Sequence, residues 1–496
     1  MRPSPDEVSE VLELVGAAAR DLIAGLEDAP VRRPGADAAA DSFAGHLPED
    51  GDGAAAALRD LLDGGTEGFI ASAGPRFFHF VIGGVTPAAL GADWLASAID
   101  QNGGSWVSAP VASRLEQVAL DWLLDLFGLP AAWAGVLTTG ATMANFVGLA
   151  CARRWWGLKR GVDVDDRGFG ELPPVPVFSS GYIHPSATKA LAMLGIGRST
   201  VTTLARDGAG RLDLPALDGS LRALDGAPAI LVANAGEVNA GDFDPIGAMA
   251  DLAEEFGAWL HVDGAFGLFA AVSPRSRHLV EGVERAHSVI ADGHKWLNVP
   301  YDCGFAFVRD RSLAPVVFRL PAPYLPDPDD PRPNYFNLGP ESSRRARSLA
   351  VWATLWAYGR AGYRAIVERH LDLAQRIAAR VDGAPDLERL AEVQLNIVCF
   401  RYRPPAMGED EANDLNRRLG EAVLEDGRVF VGTTVYEGRV AFRPAIVNWR
   451  TEERDVDLLV DVIRELGSAA GGRRVGPGGS GHPGADHRLL VRRRSQ

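Results

Sequence analysis

Lys295 ends a stretch, Ser288-Val-Ile-Ala-Asp-Gly-His-Lys295, in which small and β-branched residues give way to Asp292-Gly293. The pattern predicts a short buried strand with the lysine at its mouth, flanked by His294 and Trp296. An amine there loses hydration, which favours its neutral, nucleophilic form. That form makes a Schiff base with an aldehyde. A lysine at a strand end is more often simply solvated, so the companions decide. Asp263 closes another apolar run, Ala258-Trp-Leu-His-Val-Asp263, before Gly264-Ala265. Gly135 to Asn145 reads as strand, small-residue turn and helix, and its Gly140-Ala141-Thr142 places backbone N–H groups and a dipole where a phosphate could sit. The alternative for that turn is ordinary capping. His184 stands before a helix and can cap it or lie over a flat ring.

The elements positioning these residues alternate. Strand patterns at Val177–Ser179, Ala229–Gly236, Ala258–Ala265, Ser288–Ala291 and Gly304–Val308 alternate with helical ones, which predicts a mainly parallel sheet. Ligands of such sheets sit beyond the carboxyl ends of the strands, where Asn234, Asp263 and Lys295 fall. A lysine for an aldehyde, a carboxylate for a pyridine nitrogen, a phosphate turn and a ring for the face together describe a site for pyridoxal 5'-phosphate.

The 496 residues, 47% hydrophobic and 23% charged, are those of a globular protein with room for more than one domain. The net charge of −15 argues against nucleic-acid binding. No apolar run is long enough for a membrane span. Three dispersed cysteines without a CxxC pair suggest neither disulfides nor a cysteine zinc site, and no metal is called for; a reducing cytoplasm fits. The pattern divides the chain into an N-terminal segment, 1–70, with a helix over Pro5–Leu26 and a loop over Asp28–Gly53 that could pack on a partner subunit. A large cofactor domain follows over 71–360, a small α+β domain over 361–467, and a Gly/Arg-rich tail, 468–496, expected to be disordered. Helices are expected over Pro87–Ile99, Ser113–Phe127, Ser343–Arg360 and on to Val381 with a break at Gly362-Tyr363, and strands over Gln394–Tyr402 and Arg439–Arg443.

From about Phe77 to Val456 the chain resembles the group II pyridoxal-phosphate decarboxylases, the aromatic amino acid and glutamate decarboxylase family. The resemblance rests on Asp292-Gly-His-Lys-Trp-Leu-Asn-Val-Pro-Tyr-Asp-Cys303, His261-Val-Asp-Gly-Ala265, Ser343-Arg-Arg-Ala-Arg-Ser-Leu349 and Thr434 to Glu453. It implies a fold type I, aspartate aminotransferase-like architecture. Lys295 would hold the cofactor's aldehyde, Asp263 its pyridine nitrogen, Ala265 one ring face and His184 the other. Gly140, Ala141, Thr142 and His294 would hold its phosphate, and Asn234, where the family often has Thr, would approach its phenolic oxygen. Asp292 stands where many members have Asn. Tyr335 matches a mobile-loop tyrosine that returns a proton to the substrate's Cα. In this family that loop commonly reaches the neighbouring active site, so a homodimer with interfacial sites is implied.

Phe80, Asn102 and Trp106 match substrate-contacting positions, with Gly104 thinning the wall, and the resemblance leans to an aromatic L-amino acid, releasing carbon dioxide and an amine. Rival readings are oxidative deamination, carbon–carbon lysis or transamination on the same cofactor, and a non-catalytic relative. A nucleotide-binding module lacks a Walker lysine or dinucleotide glycine pattern.

Overall fold

The computed structural model describes residues 5–170, 172–326 and 330–471. At its centre is a seven-stranded sheet: β1 (Ala134–Thr138), β2 (Val177–Ser179), β3 (Val201–Thr203), β4 (Ile230–Asn234), β5 (Trp259–Asp263), β6 (Ser288–Asp292) and β7 (Gly304–Val308), in the order β1-β7-β6-β5-β4-β2-β3. Only β7 is antiparallel to its neighbours. Every residue of β4, β5, β6 and β7 is buried, as expected of strands covered on both faces by helices. Their apolar runs come from this double burial, and polar residues enter only at the ends. Register pairs Asn234 with Asp263, so the carboxyl ends of β4 and β5 are level. The architecture is the expected α/β one.

Helices Ala141–Lys159, Pro185–Met193 and Ile246–Phe256 follow β1, β2 and β4. Helix Pro87–Ile99 opens with Pro87 behind the Thr86 cap, whose hydroxyl accepts from Ala89 N–H. Helix Pro110–Phe127 ends at Gly128 in the left-handed region, φ 72°. A second core forms around a four-stranded sheet, β8 (Leu387–Arg389), β9 (Phe400–Tyr402), β10 (Thr433–Tyr436) and β11 (Arg439–Phe442), with helices Glu409–Asp426 and Glu453–Gly471.

The structure differs from the sequence reading at several boundaries. The segment read as loop over 28–53 contains a helix, Ala36–Asp41; its alanines favour helix despite the surrounding Gly and Asp. This segment lies on the chain's own C-terminal part: Val31 N–H donates to the Gly427 carbonyl at 2.7 Å, and Arg454 pairs with Glu27 at 2.9 Å. The helix expected from Ser343 begins at Ser348, because Arg344 and Arg345 are held extended against Asn102 and Gly103. Its break falls at Gly359 (φ 58°) and not at Gly362. Within the stretch read as strand over 394–402 only Phe400–Tyr402 is regular; the Asn396 side chain instead donates to the Ile446 carbonyl. The last helix runs to Gly471, past the boundary drawn at 467, and the rest of the tail read as disordered lies outside the described residues.

Candidate active site

A cavity of about 320 Å³ opens at the carboxyl ends of β4, β5 and β6. Its lining includes Gly140, Ala141, Thr142, His184, Asn234, Asp263, Ala265, His294 and Lys295, which are all nine residues read from the sequence as cofactor-binding.

Lys295 lies three residues beyond β6, its Nζ 5.9 Å from the centre of the Phe266 ring. Burial lowers its pKa, with the nearby carboxylates Asp292 and Asp263 pulling the other way. The loop bearing it is pinned by Asn298, whose Oδ1 accepts from Gly84 N–H (2.8 Å) and Trp449 N–H (3.0 Å) while its Nδ2 donates to the Trp296 and Val447 carbonyls. Trp296 Nε1 donates to His370 Nδ1 at 2.8 Å. The loop bearing Lys295 is thereby tied to the 447–449 segment and to helix Ser348–Asp382.

Asp263, 6% exposed, accepts from Asn145 Nδ2 at 2.8 Å and from Ala265 N–H at 3.1 Å. Two donors are thus aimed at its carboxylate oxygens. His184 caps helix Pro185–Met193, its Nδ1 accepting from Ser186 N–H at 3.2 Å. The capping alternative is realised, and the same residue lines the cavity. Packing around the ring lowers the His184 pKa, against a raising influence from Asp263. Asn234 is less free than its sequence position suggests. Its backbone N–H and Nδ2 both donate to Asp244 Oδ2 at 2.8 Å, which leaves the side-chain oxygen as an acceptor.

The phosphate turn passes a direct test. Gly140, φ 146°, precedes helix Ala141–Lys159 without any side-chain cap, so the first backbone N–H groups are left for a ligand. Gly304 packs flush on the other side: a Cβ there would meet the Gly140 carbonyl carbon at 2.5 Å. Asp292 Oδ1 and His294 Nδ1, both buried, are 2.9 Å apart, yet neither makes an aligned hydrogen bond. A cradle of free donors, orphaned polar atoms, a buried amine and a hydrogen-bonded carboxylate fit pyridoxal phosphate.

Five residues given a part in the site by the sequence reading are not in this cavity. Phe80 is 58% exposed with its ring 3.7 Å from that of His79. Asn102 holds a turn, its Oδ1 accepting from Gly104 N–H and Arg344 N–H. Trp106 lies under the Arg114 guanidinium at 5.2 Å. Gly104 is packed closely: a Cβ there would be 2.4 Å from the Ser342 carbonyl oxygen. Tyr335, 3% exposed, packs under Arg344 at 5.4 Å. Phe336 N–H donates to the Gly104 carbonyl and Asn334 Oδ1 accepts from Trp106 N–H, so the 334–336 and 102–106 segments form one unit.

Sequence reasoning missed several cavity neighbours: Tyr182, Glu237, Phe266 and Tyr301 in the lining, and Asn145 behind Asp263. Tyr301 stacks on His294 at 4.2 Å. Arg443, whose guanidinium donates to the Val238 carbonyl, has its pKa lowered by burial, and Glu237 is the carboxylate opposing that shift. The alternation Trp259-x-His261-x-Asp263 was the available signal for the network behind the carboxylate.

Fold and site together define a fold type I pyridoxal-phosphate enzyme. The model of the pyridoxal-dependent decarboxylase conserved domain matches residues 45–403, and the chain belongs to that family of carboxy-lyases. It is 33% identical over 427 residues to an L-2,4-diaminobutyrate decarboxylase of Rhizobium meliloti, covering 84% of this chain and 83% of the relative. It is 30% identical over 399 residues to an aromatic-L-amino-acid decarboxylase of Bacillus atrophaeus, covering 79% and 81%. Among solved structures, Oryza sativa TDC with PLP and tryptamine superposes with a TM-score of 0.87 at 27% identity, over 95% of this chain and 99% of that one.

Proposed function

We propose that the chain is an L-amino acid α-decarboxylase with preference for an aromatic side chain, acting as a homodimer in a reducing cytoplasm. The observation that carries the chemistry is the buried Lys295 amine beside the doubly hydrogen-bonded Asp263 in one cavity. Pyridoxal phosphate, when bound, supplies the sink for the electron pair left as a carboxylate departs from Cα. Lys295 would hold the cofactor's aldehyde carbon with an amine whose charged form burial disfavours. Asp263 would accept a hydrogen bond from the ring nitrogen and so keep the proton on that nitrogen. Gly140, Ala141 and Thr142 present their backbone N–H groups to the phosphate beside His294. His184 covers a ring face and orients the substrate, and Tyr335 from a second copy returns the proton to Cα.

The aromatic preference draws support from Tyr182, Phe266 and Tyr301 around the cavity and from the relative of Bacillus atrophaeus. The homodimer draws support from large apolar side chains left exposed on helices that pack together: Trp94, Leu95, Ile99, Val111 and Trp356. The 102–106 and 334–336 unit borders this face and misses its own cavity, as a segment completing a neighbour's cavity would. The reducing compartment draws support from three buried free cysteines. Borohydride reduction of the cofactor-loaded protein followed by peptide mass spectrometry tests the assignment. The cofactor mass should sit on Lys295 and be absent from Lys295→Ala; a tag elsewhere or none would refute it.

A further inference from the structure

Asn145, one turn into helix Ala141–Lys159, is fully buried, and each polar atom of its side chain has a partner. Its Nδ2 donates to Asp263 Oδ2 at 2.8 Å and to Ser186 Oγ at 3.3 Å, and its Oδ1 lies 2.8 Å from His261 Nε2. These contacts fix every proton. An ionised carboxylate only accepts, so the amide nitrogen faces Asp263 and the amide oxygen faces His261. His261 must then carry its proton on Nε2, leaving Nδ1 to accept from Ser288 Oγ at 2.8 Å. Ser288 Oγ in turn accepts from Trp259 Nε1 at 3.0 Å.

The second arm is equally directed. Ser186 Oγ accepts from Asn145 and turns its own proton toward His184 Nδ1, 2.6 Å away, where Ser186 N–H also donates. With two donors on Nδ1, the His184 proton belongs on Nε2. The strand geometry explains the assembly: Trp259, His261 and Asp263 alternate on one face of β5, and Ser288 on β6 lies opposite His261. Gly148, one turn beyond Asn145, makes room for the imidazole: a Cβ there would be 2.8 Å from His261 Nδ1.

We propose that Asn145 is a positioning residue whose single amide fixes the acceptor orientation of Asp263 and, through Ser186 Oγ, reinforces the Nε2–H tautomer of His184 that the Ser186 N–H sets. The inference rests on the pyridoxal-phosphate site described above and names what sets its two ring-directed groups. His261 makes no hydrogen bond to Asp263 itself and acts on it only by holding the amide in this orientation. The other titratable groups around the site, Lys295, Asp292, His294, Glu237 and Arg443, make no hydrogen bond to Asn145, His261 or Ser186 among the described residues.

The test loads the enzyme with pyridoxal 5'-phosphate labelled with nitrogen-15 in the ring and reads the ring-nitrogen NMR signal, alongside the dissociation constant of the apoprotein for unlabelled pyridoxal 5'-phosphate. The wild type should show a protonated ring nitrogen. Asn145→Ala and His261→Phe should both shift it to the neutral position and weaken cofactor binding at least tenfold. His261→Gln, which can place an amide N–H near the Nε2 position, should restore both values. If Asn145→Ala does not fold, the His261 pair carries the same comparison. A protonated signal with binding within twofold of wild type in the soluble Asn145→Ala or His261→Phe variants would overturn the proposal. A wild type that binds no cofactor would instead overturn the site assignment itself.

Discussion

Gly83 lies against the backbone carbonyl of Lys295 so closely that a Cβ at position 83 would stand 1.9 Å from that oxygen. The Gly83 N–H also donates to the His294 carbonyl at 3.0 Å. The N-terminal part of the large domain thus clamps the loop carrying the reactive amine. Gly83→Ala must push that loop away, and a misplacement of about 1 Å can cost on the order of 100-fold in rate. The expected result is a folded protein with turnover reduced at least that far; unchanged turnover would show that the clamp is dispensable.

A second relationship concerns stability. Glu116 and Arg344, 2% and 5% exposed, are joined at 3.0 Å, and Glu116 also accepts from Leu137 N–H. Burial raises the Glu116 pKa while Arg344 opposes that shift. Glu116→Ala leaves a guanidinium buried without its carboxylate, a change costing about 3–5 kcal/mol. Urea unfolding should report a loss in that range, and a loss below about 1 kcal/mol would mean that solvent reaches the arginine.

His370 provides a pH test away from the cavity lining. Fully buried, it accepts from Trp296 Nε1 and donates from Nε2 to the Asn448 carbonyl, and burial lowers its pKa to about 3. Between the unfolded value near 6.5 and the folded value, the unfolded chain binds a proton that the native state refuses. Stability from this group is therefore intact above about pH 6.5 and falls on acidification, by up to about 1.4 kcal/mol per pH unit. The stability difference between wild type and His370→Asn should shrink at that slope from pH 6.5 downward. A pH-independent difference would show that His370 titrates normally.

Much of this was legible in the sequence because of where chemistry sits in a parallel sheet. Lys295, Asp263 and Asn234 announce themselves as polar residues ending apolar runs, and Gly140 as a small-residue turn before a helix. Asn145 was not legible: a polar residue in a helix's first turns looks like a cap or a solvated face, and its partners come from β5 and from the start of another helix. The parts that Asn102 and Gly104 play within their own chain, one holding a turn and the other permitting backbone contact with Ser342, were not legible either. Helix Ala36–Asp41 and β3, β8 and β10 were missed because so few residues carry no usable period. The Gly359 break depends on a positive φ that Gly362, three residues later, does not adopt.

Tyr335 is packed within its own chain, so its proposed part in proton return depends on delivery to a second copy. Tyr335→Phe should divert product from amine toward aldehyde. Mixed dimers of Lys295→Ala and Tyr335→Phe chains contain one site with an intact lysine and a tyrosine from the other chain, and should regain amine formation that neither parent shows. An unaltered product ratio in Tyr335→Phe, or no recovery in the mixed dimer, would remove the residue from the mechanism.

The central claim is settled most directly by the stoichiometry of products. The cofactor-loaded protein, supplied with individual L-amino acids spanning aromatic, acidic and diamino side chains, should release carbon dioxide and the corresponding amine in a one-to-one ratio, fastest with an aromatic substrate. Aldehyde with ammonia and peroxide in place of amine, or no carbon dioxide from any member of the panel, would contradict it.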